Sequence, residues 1–292
     1  MSKISTRFFN DREVRAVWDE ENSKWWFSAI DIIRAINNGE DYVKAGNYWR
    51  WLKKKFSSEG VQLVSITHDF KFTAPDGKKR AADALDYDCV QILAKHFPNN
   101  NAVKFLDWFN YSDNTIDGQS KKKAYTFLNS DLVSDEDIGT TKALQQIHAY
   151  IFGGLYDFAG KIRTKTISKG DFTFCVAQYL NEALANIDKM SENSFDEIVD
   201  KYVEMNVAHP FMEGNGRSTR IWFDLILKKR LKKCVDWSKI GKNDYLQAMM
   251  ESHSDSTKIR DLLKNALTDK IYDREMFMKG IDYSYYYEEV EE

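Results

Sequence analysis

Hydrophobic and polar positions alternate early in the chain and later fall into a helical period. Val14, Ala16 and Trp18 alternate with charged neighbours, which predicts a strand; Trp25, Trp26 and Phe27 predict a second, running into a helix with Ile30, Ile33 and Ile36 on one face. Val61, Leu63, Val64 and Ile66 read as a further strand, and another short strand and turn end at Ala74-Pro75-Asp76-Gly77. Helical spacing returns at Leu85 to Phe97 and at Val103 to Phe109, so residues 1–110 are expected to form a compact α+β domain. Residues 111–123 are polar and read as a linker. Beyond them the pattern is nearly all helix. Leu144, Ile147, Ile151, Phe152 and Leu155 share one apolar stripe, and Val176, Tyr179, Leu180, Ala183, Leu184 and Ile187 share a second. Ser194-Phe195-Asp196-Glu197 has the form of a capping box and opens a third, with Ile198, Val199, Tyr202, Val203 and Val207. Residues 162–174 lose the helical period and carry Lys169-Gly170-Asp171, which predicts a hairpin. The expected fold is mainly α: a helical domain over 124–292 behind the small α+β domain.

Composition narrows this picture. Three Pro and 14 Gly in 292 residues are too few breakers for a many-turned sandwich or barrel. Hydrophobic residues at 43% and charged residues at 30% exclude collagen-like, fully disordered and disulfide-scaffold classes. The net charge of −3 gives no ground for a chain-wide grip on nucleic acid, and 17 basic against 15 acidic residues in 1–110 decide nothing. Cys89, Cys175 and Cys234 are odd in number, far apart and in apolar contexts, so reduced thiols are expected rather than a disulfide framework or a zinc site. No apolar leader opens the chain and no run of 18 apolar residues follows, so a cytoplasmic protein with no membrane partner is expected.

Chemistry concentrates in His209-Pro-Phe-Met-Glu-Gly-Asn-Gly-Arg-Ser-Thr-Arg220. Pro210 ends the preceding helix and Ile221, Phe223, Leu225 and Ile226 begin another, so the segment is a loop feeding a helix. Gly214, Asn215 and Gly216 tolerate the backbone angles that curl N–H groups toward an anion at a helix N-terminus. Arg217 and Arg220 project from the first turn and suit a polyphosphate. Glu213 beside those phosphates calls for a bridging divalent ion, and Mg²⁺ fits. His209 supplies a ring that can accept a hydroxyl proton.

The segment resembles the Fic motif, H-P-F-x-[D/E]-G-N-G-R-x-x-R, at every specified position. The resemblance runs from about residue 130 onward and implies a Fic helical bundle with a β-hairpin flap. It implies a protein adenylyltransferase that moves AMP from ATP to a Ser, Thr or Tyr hydroxyl of a target protein. By resemblance, His209 is the general base, Glu213 holds Mg²⁺, Gly214 to Gly216 cradle phosphates, and Arg217 and Arg220 bind the β- and γ-phosphates. Gly160-Lys-Ile-Arg163 precedes a target-docking flap formed by Thr164, Lys165, Thr166, Ile167, Ser168 and Lys169, and Tyr245 matches a position near the nucleotide. Relatives of this fold with another donor, or with AMP-removing activity, are the alternatives within the enzyme class. The end of the chain resembles the C-terminal inhibitory helix of such proteins, pattern S/T-x-x-x-E, through Ser284 and Glu288. Glu289 replaces the small residue that usually follows. Relief of inhibition is open among unfolding of the tail, dissociation of a homo-oligomer and modification of a tyrosine such as Tyr285.

Residues 1–110 resemble the amino-terminal domain of BRO proteins and phage antirepressors, through Val14-Arg-Ala-Val-Trp18, Trp25 to Ile33, Tyr48-Trp-Arg-Trp-Leu-Lys53 and Asp76-Gly-Lys-Lys-Arg80. That resemblance implies DNA as a partner, with Lys53 to Lys55 and Lys78 to Arg80 on phosphates and Tyr48, Trp49 and Trp51 stacking on bases. A regulator whose second domain only binds nucleotide is the non-enzyme alternative.

Overall fold

The computed structural model describes residues 3–22, 24–39, 41–60, 67–73, 78–111, 114–128, 130, 132–170 and 172–288. Backbone contacts divide the chain into two units, Met1–Thr115 and Ile116–Glu292. The predicted strand at 61–66, the turn at 74–77 and Glu289 lie outside the described residues.

The first unit contains β1 (Lys3–Phe9), β2 (Arg12–Asp19), β3 (Lys24–Ser28), α1 (Ala29–Ile36), α2 (Tyr42–Ser58), β4 (His68–Thr73), β5 (Lys79–Leu85), α3 (Tyr87–Lys95) and α4 (Asn100–Tyr111). Its strands form one antiparallel sheet in the order β1-β2-β3-β5-β4. The alternation along β2 sends Val14 and Ala16 into the core with Phe27, Ile32, Ile33, Leu52, Phe56 and Phe105, whereas Val17 joins Trp26, Phe72 and Ala84 in a separate cluster. Asp31 is fully buried in α1 and takes Arg15 of β2 in a fork at 2.6 and 2.8 Å. Removing one partner of so enclosed a pair costs about 3–5 kcal/mol. The basic run at Lys53 lies on α2, a helix the aromatic pattern does not predict. Trp49 is core, 3% exposed, with its indole N–H on Asp83, and the same carboxylate holds Lys53 at 2.7 Å. Trp49 is therefore unavailable for base stacking, and Trp51 is the exposed ring of the group.

The second unit contains α5 (Ile116–Phe127), α6 (Thr141–Phe152), β6 (Ser168–Lys169), β7 (Phe172–Thr173), α7 (Ala177–Asp188), α8 (Phe195–Ala208), α9 (Asn215–Leu231), β8 (Cys234–Val235), α10 (Lys242–Glu251), α11 (Thr257–Asn265), β9 (Leu267–Thr268) and α12 (Arg274–Tyr286). The fold class is as expected, mostly helical with a small sheet in the first unit. The linker is corrected: residues 116–123 are the first turns of α5, whose Ala124, Tyr125 and Phe127 enter the same core as Leu144 and Ile147. The lysines that make the segment look solvated have partners, Lys121 on Asp282 at 2.8 Å and Lys123 on the Gly153 carbonyl. The capping box at Ser194 and Glu197 forms as the sequence predicts and starts α8. Helix α9 is buried through much of its length, including Asn215, Arg217, Ser218, Arg220, Trp222, Phe223, Ile226 and Leu227, because α6, α8 and α12 pack around it. Among the described residues no helix is long and apolar enough to cross a membrane. All three thiols are free.

Candidate active site

Helix α8 stops at Ala208, and His209 caps it in the left-handed region, φ 48° and ψ 64°. A non-glycine residue there costs roughly 1–3 kcal/mol and persists only where its surroundings over-determine it. They do so here. The His209 N–H donates to Met205 O at 3.0 Å, Pro210 O accepts from Arg163 N at 2.8 Å, and the His209 ring stacks on Phe174 with centroids 3.7 Å apart. Burial pushes the imidazole pKa down to about 4, so the ring is neutral at physiological pH. Its Nδ1 lies 3.2 Å from Asn206 O. A carbonyl can only accept, so Nδ1 carries the proton and Nε2 keeps a free lone pair.

The loop after His209 closes on itself. Asn215 accepts from Phe211 N and donates to Phe211 O, each at 2.8 Å, which returns the chain to start α9. Gly214 has φ 80°, and a Cβ there would meet the Phe152 ring at 2.4 Å. A Cβ on Gly216 would meet the Glu288 carboxylate at 2.1 Å and Arg220 Nη1 at 3.1 Å.

The two arginines of the motif are occupied. Arg217, 4% exposed, bonds Glu213 at 2.7 Å and also pairs with Asp117 of α5, while its Nε is buried without a partner among the described residues. Arg220, 2% exposed, donates Nε to Ser284 Oγ at 2.8 Å, Nη2 to Ser284 O at 2.7 Å and Nη2 also to Glu288. Burial pushes the Glu288 carboxyl up, but Arg220 against it, with Lys169 and Arg217 nearby, holds it below the usual range. Glu213 is more than half exposed, its carboxylate also taking the Gly214 N–H at 2.9 Å.

His209, Glu213, Gly214, Asn215, Gly216, Arg217, Arg220, Ser284 and Glu288 thus gather around the start of α9. Tyr245 stands behind Arg220: it is 3% exposed, and its hydroxyl bonds Arg220 Nη1 at 3.2 Å and Tyr202 at 2.5 Å. The flap is shorter than its sequence suggests, two residues per strand, pairing Ser168 with Thr173 and Lys169 with Phe172. Thr164, Lys165, Thr166, Ser168 and Lys169 are exposed and Ile167 is half-buried. Tyr285 is buried with its hydroxyl on Ser120, so it offers no surface for modification.

Sequence reasoning misses three residues. Asp117 lies about a hundred positions before the arginine it pairs with, and nothing local marks it. His148 sits fully buried on the α6 stripe, receives the Gly160 N–H on Nδ1 and donates Nε2 to Glu213 O, both at 2.9 Å, tying flap root to loop. Burial pushes its pKa down to about 4. Arg163, read only as the flap's beginning, is 4% exposed and bonded to carbonyls on both sides of the site. A buried polar residue on an apolar stripe is the signal that could have marked His148.

Residues 139–227 match the family model for the Fic/DOC family. The protein adenylyltransferase VbhT of Bartonella schoenbuchensis is 29% identical over 140 residues, 43% of this chain and 29% of that protein. A probable protein adenylyltransferase of Sinorhizobium fredii is 31% identical over 120 residues, 37% of this chain and 62% of that protein. The chain thus spans less than two thirds of each of these relatives. Among solved structures, BepC of Bartonella tribocorum with bound AMPPNP aligns over 59% of this chain and 92% of its own at 18% identity and a TM-score of 0.45. Over residues 139–227 the chain is thus similar to the Fic/DOC family, and the relatives it matches are named protein adenylyltransferases.

Proposed function

We propose that this chain is a protein adenylyltransferase that uses Mg-ATP, restrained by its own C-terminal segment. The observation that carries the reading is the neutral His209, with Nδ1 committed to Asn206 O and Nε2 free, beside a glycine-lined helix start flanked by two buried arginines. The Arg217 Nε, without a partner among the described residues, and the seat beside Gly216 that the Glu288 carboxylate takes suit phosphate oxygens. Mg²⁺, held by Glu213, would neutralise phosphate charge. His209 Nε2 takes the proton of a target hydroxyl, whose oxygen bonds the α-phosphorus as the bond to the β-phosphate oxygen breaks and pyrophosphate leaves. The protein's contribution is alignment and fixed charge. The exposed edge at Thr164–Lys169 would receive the target segment by strand addition.

Restraint follows from charge competition. Glu288 on Arg220 fills the place proposed for the γ-phosphate, and Ser284 holds the same guanidinium along the same Nε–Nη2 edge. Helix α12 is itself held by α5 through Lys121–Asp282 and Tyr285–Ser120. Residues 1–110 are proposed as a BRO-like recognition module for DNA, with Lys54, Arg50 and Trp51 exposed on α2 as the supporting surface.

The test is incubation with α-labelled ATP and Mg²⁺ in lysate, with wild type and Glu288→Gly side by side. Label on protein supports transfer. No label from either chain overturns it in favour of a nucleotide-binding regulator.

A further inference from the structure

Arg163 lies at the root of the flap and is 4% exposed, yet among the described residues no carboxylate pairs with it. Its guanidinium meets carbonyl oxygens: Nε donates to His209 O at 2.7 Å, Nη1 to Lys165 O at 2.6 Å, and Nη2 to Cys175 O at 2.5 Å and Ala208 O at 3.0 Å. Two backbone bonds run alongside, Arg163 N to Pro210 O at 2.8 Å and Cys175 N to Val207 O at 3.1 Å. Burying a cation without a counter-ion costs several kcal/mol unless its donors are answered. The answer here is the negative end of α8, whose last carbonyls have no partner within the helix, joined by carbonyls from both arms of the flap. A flexible ammonium could cap the helix alone. Only a planar fork reaches the helix end, the outgoing arm and the returning arm together.

We propose that Arg163 is a positioning residue for transfer: it locks the carbonyl of His209 and both ends of the flap to one rigid plane, and so sets where the base stands relative to the edge that receives the target. This rests on the adenylyltransferase reading above. His209 has its strained left-handed backbone because its own carbonyl is held on one side by Arg163 and its ring on the other by Phe174. Freed of Arg163, the residue can relax, and the flap loses its tether to α8 at the same moment. The groups facing the imidazole are Arg163 and Lys169 from the flap, Glu288 from beyond α12 and the Asn206 carbonyl of α8. Arg163 is thus also one of two cations that disfavour a charged ring.

The experiment uses Arg163→Lys and Arg163→Gln in the full chain, both in the Glu288→Gly background. Arg163→Lys keeps charge and loses the fork. It should melt near its parent and bind ATP within about threefold of it, while kcat for transfer falls on the order of 100-fold, the cost of a displacement of about 1 Å. Arg163→Gln should lose transfer similarly, raise the His209 titration midpoint followed by NMR of its ring protons without nucleotide, and open the flap to protease. Transfer by Arg163→Lys within about threefold of the parent, or a loss of ATP affinity as large as the loss of kcat, would overturn the proposal. If the parent transfers nothing, the adenylyltransferase reading fails by itself. The NMR and protease readings then decide on Arg163: unchanged titration and cleavage in Arg163→Gln would overturn the positioning role, and altered ones would support it.

Discussion

Replacing Glu288 by Gly removes one carboxylate from a site that otherwise stays intact. Arg220 remains 2% exposed and keeps both bonds to Ser284, so the guanidinium should not move. What is lost is a charge-assisted hydrogen bond between a buried cation and a carboxylate with 22% of its side chain exposed. A bond of that kind is worth about 1.5–3 kcal/mol once its desolvation is counted. At 1.4 kcal/mol per tenfold, transfer should rise roughly ten- to 150-fold. Glu288→Gln keeps the shape and loses the charge, so it should fall between. The assay is the initial rate of label transfer from α-labelled ATP at matched ATP, magnesium and protein concentrations. Because Arg220, Lys169 and Arg217 hold the carboxyl ionised below the usual range, the ratio of variant to wild-type rates should be flat from pH 6 to 8. Equal rates for wild type and Glu288→Gly would refute the lock, and a ratio that collapses on mild acidification would refute the assigned ion pair.

His209→Ala should abolish transfer and leave ATP affinity within about tenfold, about 1.4 kcal/mol, because the imidazole is assigned to the proton and not to phosphate; isothermal titration with ATP checks this. His148, fully buried, has a pKa near 4 in the fold against 6.5 unfolded, so the unfolded chain takes up the proton first as pH falls. Stability from this residue is complete above pH 6.5 and declines toward pH 4, by up to about 3 kcal/mol, so the urea midpoint of wild type should fall more steeply on acidification than that of His148→Gln, and any advantage over the variant at neutral pH should shrink. Asp117→Asn should raise transfer no more than about fivefold, since its carboxylate is 53% exposed and such pairs contribute about 1 kcal/mol or less. If the first 110 residues grip DNA, affinity should fall steeply with salt and weaken when Lys53, Lys54 and Lys55 are neutralised together; salt-independent binding would contradict phosphate contact.

The readable parts of this chain are those whose cause is local. The Ser194 and Glu197 capping box, the helix stop at Pro210 and the glycines opening α9 each act within a few residues, so residue types in order announce them. Helix α5 has no such signature. Lys121 and Lys123 find partners in α12 and after α6, and the decisive contacts are distant in sequence. Arg163 is illegible for another reason: its partners are main-chain carbonyls, which every residue has, so no spacing can encode them. Trp49 fails in the opposite direction, since an aromatic beside lysines looks like a stacking platform until Asp83 is found to claim both the indole and Lys53.

Gly216 carries an evolutionary asymmetry. A methyl at this position would strike the Glu288 carboxylate at 2.1 Å and crowd Arg220, the guanidinium assigned to phosphate. If Glu288 restrains the site as proposed, loss of restraint is open to mutation at residue 288, where one change would free the site. The same release by way of residue 216 would obstruct the phosphate as well. On that proposal, lineages that shed control should vary at 288 and keep glycine at 216, because the place proposed for phosphate tolerates no side chain there.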